Sequence, residues 1–410
     1  MLHNKSMVDY LLCADWSKEE KGRAVFVADV RKHEVRRVRV SPLTIDTALA
    51  RAREFAKDGN VLLSFDVPLG LPYSFFSAIR NVQGWEAVSS FTSFLPIAAR
   101  TPTFFVSGTD ASRWSLKQPF FTVPPGTGGK MAFEQASAQI GVQLRRRIDA
   151  KTGGNPMFIT AGIPGSVGSG AINAWIGLAN LLLRARDFKI WPFEGTLQEL
   201  FASCRIVVAE NYPRAIYAAA LSDAPAAHRS RMKVSKTRSE TRYQAIEHLL
   251  CRRWITGNQV TVHDTDDALT DENQFDALVT AAGLLRLFLD GEPLSSITFE
   301  DPVAEGGILG TGTINFDLPE IDFTHVAGTT RKGPLAPDRE LRAAKPSPYV
   351  MPGLSYRCPI PGCAKIFTGS RGGWDGHVGS FRMHPNWQPH ITDHGDRLEA
   401  FRAEFPNFFD

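Results

Sequence analysis

The sequence predicts an α/β protein whose mixed sheet is flanked by helices, and three observations carry that expectation. Residues 10–14 and 61–65 are wholly apolar runs of strand length, as expected of strands covered on both faces. Residues 23–30 and 34–40 alternate apolar and polar side chains, the pattern of half-buried strands. A helical period over residues 45–56 then separates the third strand from the fourth.

Each element has a local reason. The first strand closes on Asp15-Trp16-Ser17. Pro42 and Thr44 open the helix, and Gly59-Asn60 supplies its C-cap and turn. The fourth strand ends on Asp66, followed by Val67-Pro68-Leu69-Gly70-Leu71-Pro72, a loop stiffened by two prolines. Residues 73–200, rich in Phe, Pro, Gly and Ser, read as an irregular insertion containing one clear helix at 131–149. Residues 123–130 imitate a phosphate loop but lack its first glycine, and Met131 replaces its Ser/Thr, so they read as a plain loop. The glycine-rich turn 162–170 precedes a helix at 171–185 and reads as a connector or as a flexible loop near a site.

Regularity returns at residues 204–209, an apolar strand ending in Glu210-Asn211-Tyr212-Pro213, with helix continuing over 217–221. Arg229, Arg231, Lys233, Lys236, Arg238 and Arg242 form the strongest basic run and precede a helix at 243–254. It reads as a solvated face or as a contact to a phosphate backbone. Asp276 lies in a late helix, 274–289, beside the apolar face marked by Phe275, Leu278, Val279 and Ala282. Residues 297–316 suggest a terminal hairpin or lid, and 327–347, rich in Lys, Arg, Pro and Gly, read as a linker. The expected domains are therefore 1–326 with the insertion, the linker 327–347, and a small module at 348–410.

At 410 residues, 43% hydrophobic and 22% charged, the chain has the profile of a globular protein with room for a sizeable core. The net charge of +3 says little about partners. No apolar run approaches the roughly 20 residues that span a bilayer, so no membrane association is expected. Five cysteines, three of them scattered among apolar neighbours, fit free thiols in a reduced, cytoplasmic protein.

Asp15, Asp66 and Glu210 each follow an apolar strand, and Asp276 sits in the late helix. If the first and fourth strands are neighbours, Asp15 and Asp66 face one crevice at the carboxyl edge of the sheet. Carboxylates gathered there repel one another unless cations neutralise them, and hard oxygen ligands suit magnesium or manganese. Two such ions about 4 Å apart can hold the attacking water and the leaving oxygen of a phosphodiester. Asp264, Asp266 or Asp267 could supply the last ligand in place of Asp276, and Glu19 and Glu20 could replace or supplement a ligand on the first turn.

The order strand-strand-strand-helix-strand, with an aspartate on the first and fourth strands, resembles the ribonuclease H-like arrangement. In detail the chain resembles the predicted ribonuclease H-like nucleases of domain-of-unknown-function family 429. The resemblance rests on Asp15-Trp16-Ser17, Phe65-Asp66-Val67-Pro68-Leu69-Gly70-Leu71-Pro72, Ala209-Glu210-Asn211-Tyr212-Pro213 and Asp276-Ala277-Leu278, across residues 8–290 with an enlarged middle. It implies a ribonuclease H-like fold with Asp15, Asp66, Glu210 and Asp276 as metal ligands.

The C-terminal module carries Cys358 and Cys363, then His377 and His384, a spacing close to a two-Cys, two-His zinc finger. Phe367 and Trp374 fall where such fingers place their core apolar residues, and Trp374–Met383 is the expected helix. His390 or His394 could stand in as fourth ligand. So short a module cannot bury a core unaided, and zinc binding of roughly 10–16 kcal/mol can supply its stability. Arg371, at the start of the expected helix, could contact a phosphate; docking to a protein partner, or a structural role, is the other reading.

The leading expectation is a divalent-metal-dependent nuclease acting on DNA or RNA, its zinc finger aiding substrate binding. Two rivals remain. One is an ATP-binding enzyme of the actin and sugar-kinase type, which needs a glycine-rich turn after the first aspartate, where residues 15–20 contain no glycine. The other is a catalytically inactive binding scaffold.

Overall fold

The computed structural model describes residues 7–125, 129–297, 301–323, 355–360, 363, 366–368, 384, 386–391 and 394–405. Two compact units divide the chain, Met1–Arg331 and Lys332–Asp410. Among the described residues no helix is long and apolar enough to cross a membrane.

The first unit is α/β. Its strands are β1 (Tyr10–Asp15), β2 (Ala24–Asp29), β3 (Glu34–Arg37), β4 (Val61–Phe65), β5 (Phe121–Thr122), β6 (Ile159–Ala161), β7 (Lys189–Ile190), β8 (Ile206–Glu210), β9 (Met232–Lys233), β10 (Thr261–Val262) and β11 (Ile321–Asp322). Seven of them form a mixed sheet in the order β10-β3-β2-β1-β4-β8-β7. β1, β2 and β3 are an antiparallel meander. β4 returns parallel to β1, and β8 lies parallel to β4. A parallel return needs a crossover, supplied by the helix Ile45–Phe55. Thr44 and Thr47 form its capping box, and Ile45, Ala48, Leu49 and Ala52 make one buried stripe at helical spacing.

The sheet is covered on both faces, so side chains along each strand divide alternately between two cores. Leu12, Ala14, Leu63, Phe65, Ile206 and Val208 join one core, with the helices Ile45–Phe55 and Gly168–Arg184. Leu11, Cys13, Leu62, Val207 and Ala209 join the other, with the helices Pro213–Leu221 and Glu272–Leu289. The late helix is buried at every position from Gln274 to Leu287, so it is a central element and not an amphipathic surface helix.

The insertion is more ordered than its composition suggests. It holds helices Tyr73–Ile79, Phe91–Arg100, Gly129–Gln139, Arg147–Thr152 and Gly168–Arg184, and β5 pairs with β6. Phe91, Phe94, Phe104, Phe120 and Trp175 interlock edge to face and continue the core of the sheet. The single helix expected over residues 131–149 is two, broken around Gly141, whose φ of +71° leaves the helical region.

Among the described residues of the stretch 297–316 no strand hairpin forms. Residues 301–316 run as a strap beside the end of β8, where Leu309 N–H donates to the Glu210 carbonyl at 3.0 Å. Two glycines dock this strap onto the loop after β4. A Cβ on Gly70 would lie 2.3 Å from Glu305 O, and one on Gly306 would lie 2.2 Å from Leu69 O. No side chain fits at either position.

In the second unit, β12 (Ser355–Arg357) and β13 (Ile366–Thr368) are antiparallel and bracket Cys358 and Cys363. A helix, His394–Glu404, follows, and Trp387 and Phe401 pack with Cys358 and Ile360. The expected helix at 374–383, with His377 and Arg371, lies outside the described residues.

Candidate functional site

The period of two decides where the strand-end acids point. Asp15 follows Leu11 and Cys13, and Asp66 follows Leu62 and Ser64, so both lie on the face of the late helix. Glu210 follows Ile206 and Val208 and belongs to the opposite face. Asp15, Asp66 and Asp276 are thereby brought together, while Glu210 sits close by with other partners.

Asp15 and Asp66 stand side by side at the ends of the parallel pair β1 and β4, close enough for Asp66 to raise the Asp15 carboxyl. Burial, then repulsion from Asp276 and from Asp66, holds Asp15 well above the usual carboxylate range. Burial pushes Asp66 up to about 7, against the pull of Lys236. Asp276 is 1% exposed, and both its oxygens are engaged, one by the Tyr217 hydroxyl and the other by the Lys236 ammonium. Burial raises the Asp276 carboxyl and Lys236 lowers it; the surrounding acids in turn hold the Lys236 ammonium firmly protonated. The Lys236 carbonyl accepts from Arg242 Nη1 at 2.6 Å, which anchors the backbone that delivers the ammonium.

Glu210 is held differently. Arg146 Nη2 donates to its Oε1 at 2.6 Å and Nη1 to its Oε2 at 2.7 Å, and Leu69 N–H donates to Oε2 at 2.7 Å. The same guanidinium binds Asp149 through Nη2 at 2.7 Å and Nε at 2.9 Å. Arg146 is fully buried, so this is an interior acid-arginine-acid triad, fork to fork. The other candidate acids stand apart. Asp264 accepts from Arg37 N–H at 2.9 Å and Asp267 from Arg37 Nη1 at 2.7 Å, two strands away from β1, and Asp266, Glu19 and Glu20 are exposed.

Asp66, Asp149, Glu210, Lys236 and Asp276 line a cleft at the carboxyl edge of β4 and β8. One part, about 590 Å³, is lined by Asp66, Asp149 and Glu210 on one side and by Ser166, Ser169 and Gly170 on the other. A second part, about 240 Å³, shares Asp66 and Tyr212 with the first and is lined by Arg214, Lys233, Lys236 and Asp276. The glycine-rich turn 162–170 thus belongs to the cleft wall.

The expected basic patch does not survive as one surface. Arg229 is 1% exposed and donates to the partly buried Glu292 at 2.6 Å, so its guanidinium is held inside the fold, away from any phosphate backbone at the surface. Arg242 is also buried, bonded to the Leu269 carbonyl. Lys236 is turned into the acid cluster, Arg231 lies over Phe316, and Lys233 and Arg238 are exposed.

Arg146, Asp149, Tyr217 and the true place of Lys236 carry no signal in the sequence. Their partners are 59 or 64 residues away for Tyr217 and Arg146, and Arg146 hides within a run of three arginines.

In the second unit, the ligand atoms of Cys358, Cys363 and His384 lie within 4.8 Å of one another, with Cys358 Sγ 3.9 Å from His384 Nε2. This group could hold a metal ion. Among the described residues it alone gathers three such atoms so closely; the acids of the first unit are spaced more widely, Lys236 standing among them.

Comparison with protein families, with characterised proteins and with solved structures returns no match. Fold and site define the chain by themselves: an α/β protein with an acid-lined cleft at the edge of a mixed sheet, and a separate cysteine-histidine unit.

Proposed function

We propose that the chain is a divalent-metal-dependent nuclease of ribonuclease H-like type, related to family 429, which hydrolyses phosphodiester bonds in DNA or RNA. The observation that carries this reading is the charge of the cleft. Among the described residues, Asp15, Asp66, Asp276, Glu210 and Asp149 are paired by two cations, Lys236 and Arg146, with Arg214 and Lys233 further along the smaller part of the cleft. Buried carboxyls left without a counter-charge are costly, and an all-oxygen donor set suits a hard divalent ion. Such an ion would be held by Asp15, Asp66 and Asp276 after Lys236, one-third exposed, turns outward. Bound magnesium or manganese supplies an activated water and charge for the leaving oxygen. Glu210 and Arg146 act as positioning residues, fixing the loop after β4 through Leu69 N–H. The strand order β3-β2-β1-β4-β8, with only the β1–β3 meander antiparallel, supports the ribonuclease H-like comparison.

In the tail, two thiolates and an imidazole suit zinc better than a hard cation. Its function under this reading is to help hold the nucleic acid.

The test is a panel of end-labelled single- and double-stranded DNA and RNA, incubated with magnesium, manganese or EDTA. Cleavage that needs the metal and disappears in Asp66→Asn is expected. Equal cleavage by that variant sinks the assignment.

A further inference from the structure

His384 meets the two thiols from a position in neither helix nor strand, so its backbone has to be held from elsewhere. The cysteines have their own support. β12 and β13 pair on either side of them, and Cys363 N–H donates to the Ile360 carbonyl at 3.1 Å within the turn. The histidine is gripped from the helix His394–Glu404. Arg397 Nη2 donates to the His384 carbonyl at 2.9 Å, while Nη1 donates to the Ile391 carbonyl at 2.8 Å and the Gln388 carbonyl at 3.2 Å. Trp387 N–H shares the His384 carbonyl at 3.2 Å.

Arg397 is fully buried. A guanidinium cannot shed its charge, so it is buried where fixed acceptors meet its donors, and its planar fork then sets their relative positions. Here those acceptors come from one short segment, and one of them belongs to the ligand residue itself. The guanidinium also lies 5.0 Å from the centre of the Trp387 ring, and that ring packs with Cys358 and Ile360. Helix, histidine segment and cysteine turn therefore meet around one side chain.

We infer that Arg397 is a positioning residue of the metal centre: its grip on the His384 carbonyl sets that imidazole against Cys358 and Cys363. The helix His394–Glu404 is thereby part of the centre and not an appendage to it. This rests on the reading of the tail as a zinc site and is independent of the nuclease reading. Removing a group that orients a metal ligand costs about 10–100-fold in affinity. The same helix also supplies a control. Glu404, exposed, accepts from Trp387 Nε1 at 3.0 Å and from Gln388 Nε2 at 3.1 Å, contacts that do not involve the His384 carbonyl.

The test titrates the full-length, metal-free protein with cobalt(II). Its thiolate charge-transfer band reports the cysteines, and its visible bands change when the imidazole is lost. Cys363→Ser and His384→Gln supply the two reference spectra, and displacement of cobalt by zinc gives the affinity. Arg397→Met should keep the charge-transfer band, take on the visible bands of His384→Gln and bind zinc about 10–100-fold more weakly. Arg397→Lys, which keeps a charged donor for the carbonyl, should restore the wild-type bands at an intermediate affinity. Glu404→Ala should change neither spectrum nor affinity. Should Arg397→Met lose both sets of bands by unfolding, Arg397→Lys decides: wild-type bands there uphold the inference, and their loss overturns it. Wild-type spectrum and affinity in Arg397→Met also overturn it, as does Glu404→Ala behaving like Arg397→Met. A wild-type protein that gives no thiolate band with cobalt sinks the zinc reading and the inference with it. Reference variants that respond while Arg397→Met does not sink the inference alone.

Discussion

Asp15 and Asp66 repel each other side by side at the carboxyl ends of two adjacent parallel strands, on the sheet face that Asp276 also reaches. The pair is held together against its own repulsion, so removing one charge has two opposite effects. Asp66→Asn should raise the melting temperature in EDTA by about 2–4 °C, what ~1 kcal/mol is worth in a domain this large. The same variant should bind manganese more than about tenfold more weakly in calorimetry. A destabilised variant would contradict the repulsion.

The pH dependence follows from the same group. Asp66 titrates near 7 in the folded chain and near 3.8 when unfolded, so the folded state binds the extra proton between those values. Its contribution to stability is present at low pH and is lost as pH rises from about 4 to 7. Metal-free protein should therefore melt lower at pH 7.5 than at pH 5.5, and manganese should reverse the trend. Asp66→Asn should flatten the metal-free profile.

Under the proposed reading, Lys236 and a divalent ion compete for the same oxygens. Lys236→Met should bind manganese several-fold more tightly than wild type in calorimetry, because no ammonium has to leave. Unchanged or weaker binding would show that Lys236 does not occupy the ion's place.

Arg146→Ala should be severe, because it leaves Glu210 and Asp149 buried together without a counter-charge. Breaking a buried pair costs about 3–5 kcal/mol, read as a lower urea midpoint. Restoring a point charge with Arg146→Lys should recover only part of that loss, since lysine cannot bind both acids through a planar fork.

Cys363→Ser should remove the zinc measured by emission spectrometry in the purified protein. Loss of zinc together with weaker oligonucleotide binding supports a nucleic-acid role for the tail, and unchanged binding assigns it a structural or protein-docking role.

Much of the sheet was legible because its causes are local. The β4 run Val61–Phe65 matches its predicted span, and Thr44 caps the helix before it as its sequence position suggested. Asp15 and Asp66 could be singled out because polar residues after apolar runs are visible in one dimension, and Asp276 by its place beside the apolar face of the late helix. Glu210 shows the limit: it follows its strand as Asp66 does, yet an offset of one residue relative to the two cores turns it to the other face. Lys236 was visible only as one cation in a run, since nothing local distinguishes a lysine that folds back onto Asp276, 40 residues ahead, from one in water. The insertion was misjudged because its order comes from aromatic side chains meeting across long separations, which no short period records.

The glycine-to-backbone docking of the strap sets a timetable for synthesis. Gly306 closes against Leu69, the residue whose N–H steadies Glu210, so until the residues beyond 300 leave the ribosome the loop after β4 lacks the backbone it packs against.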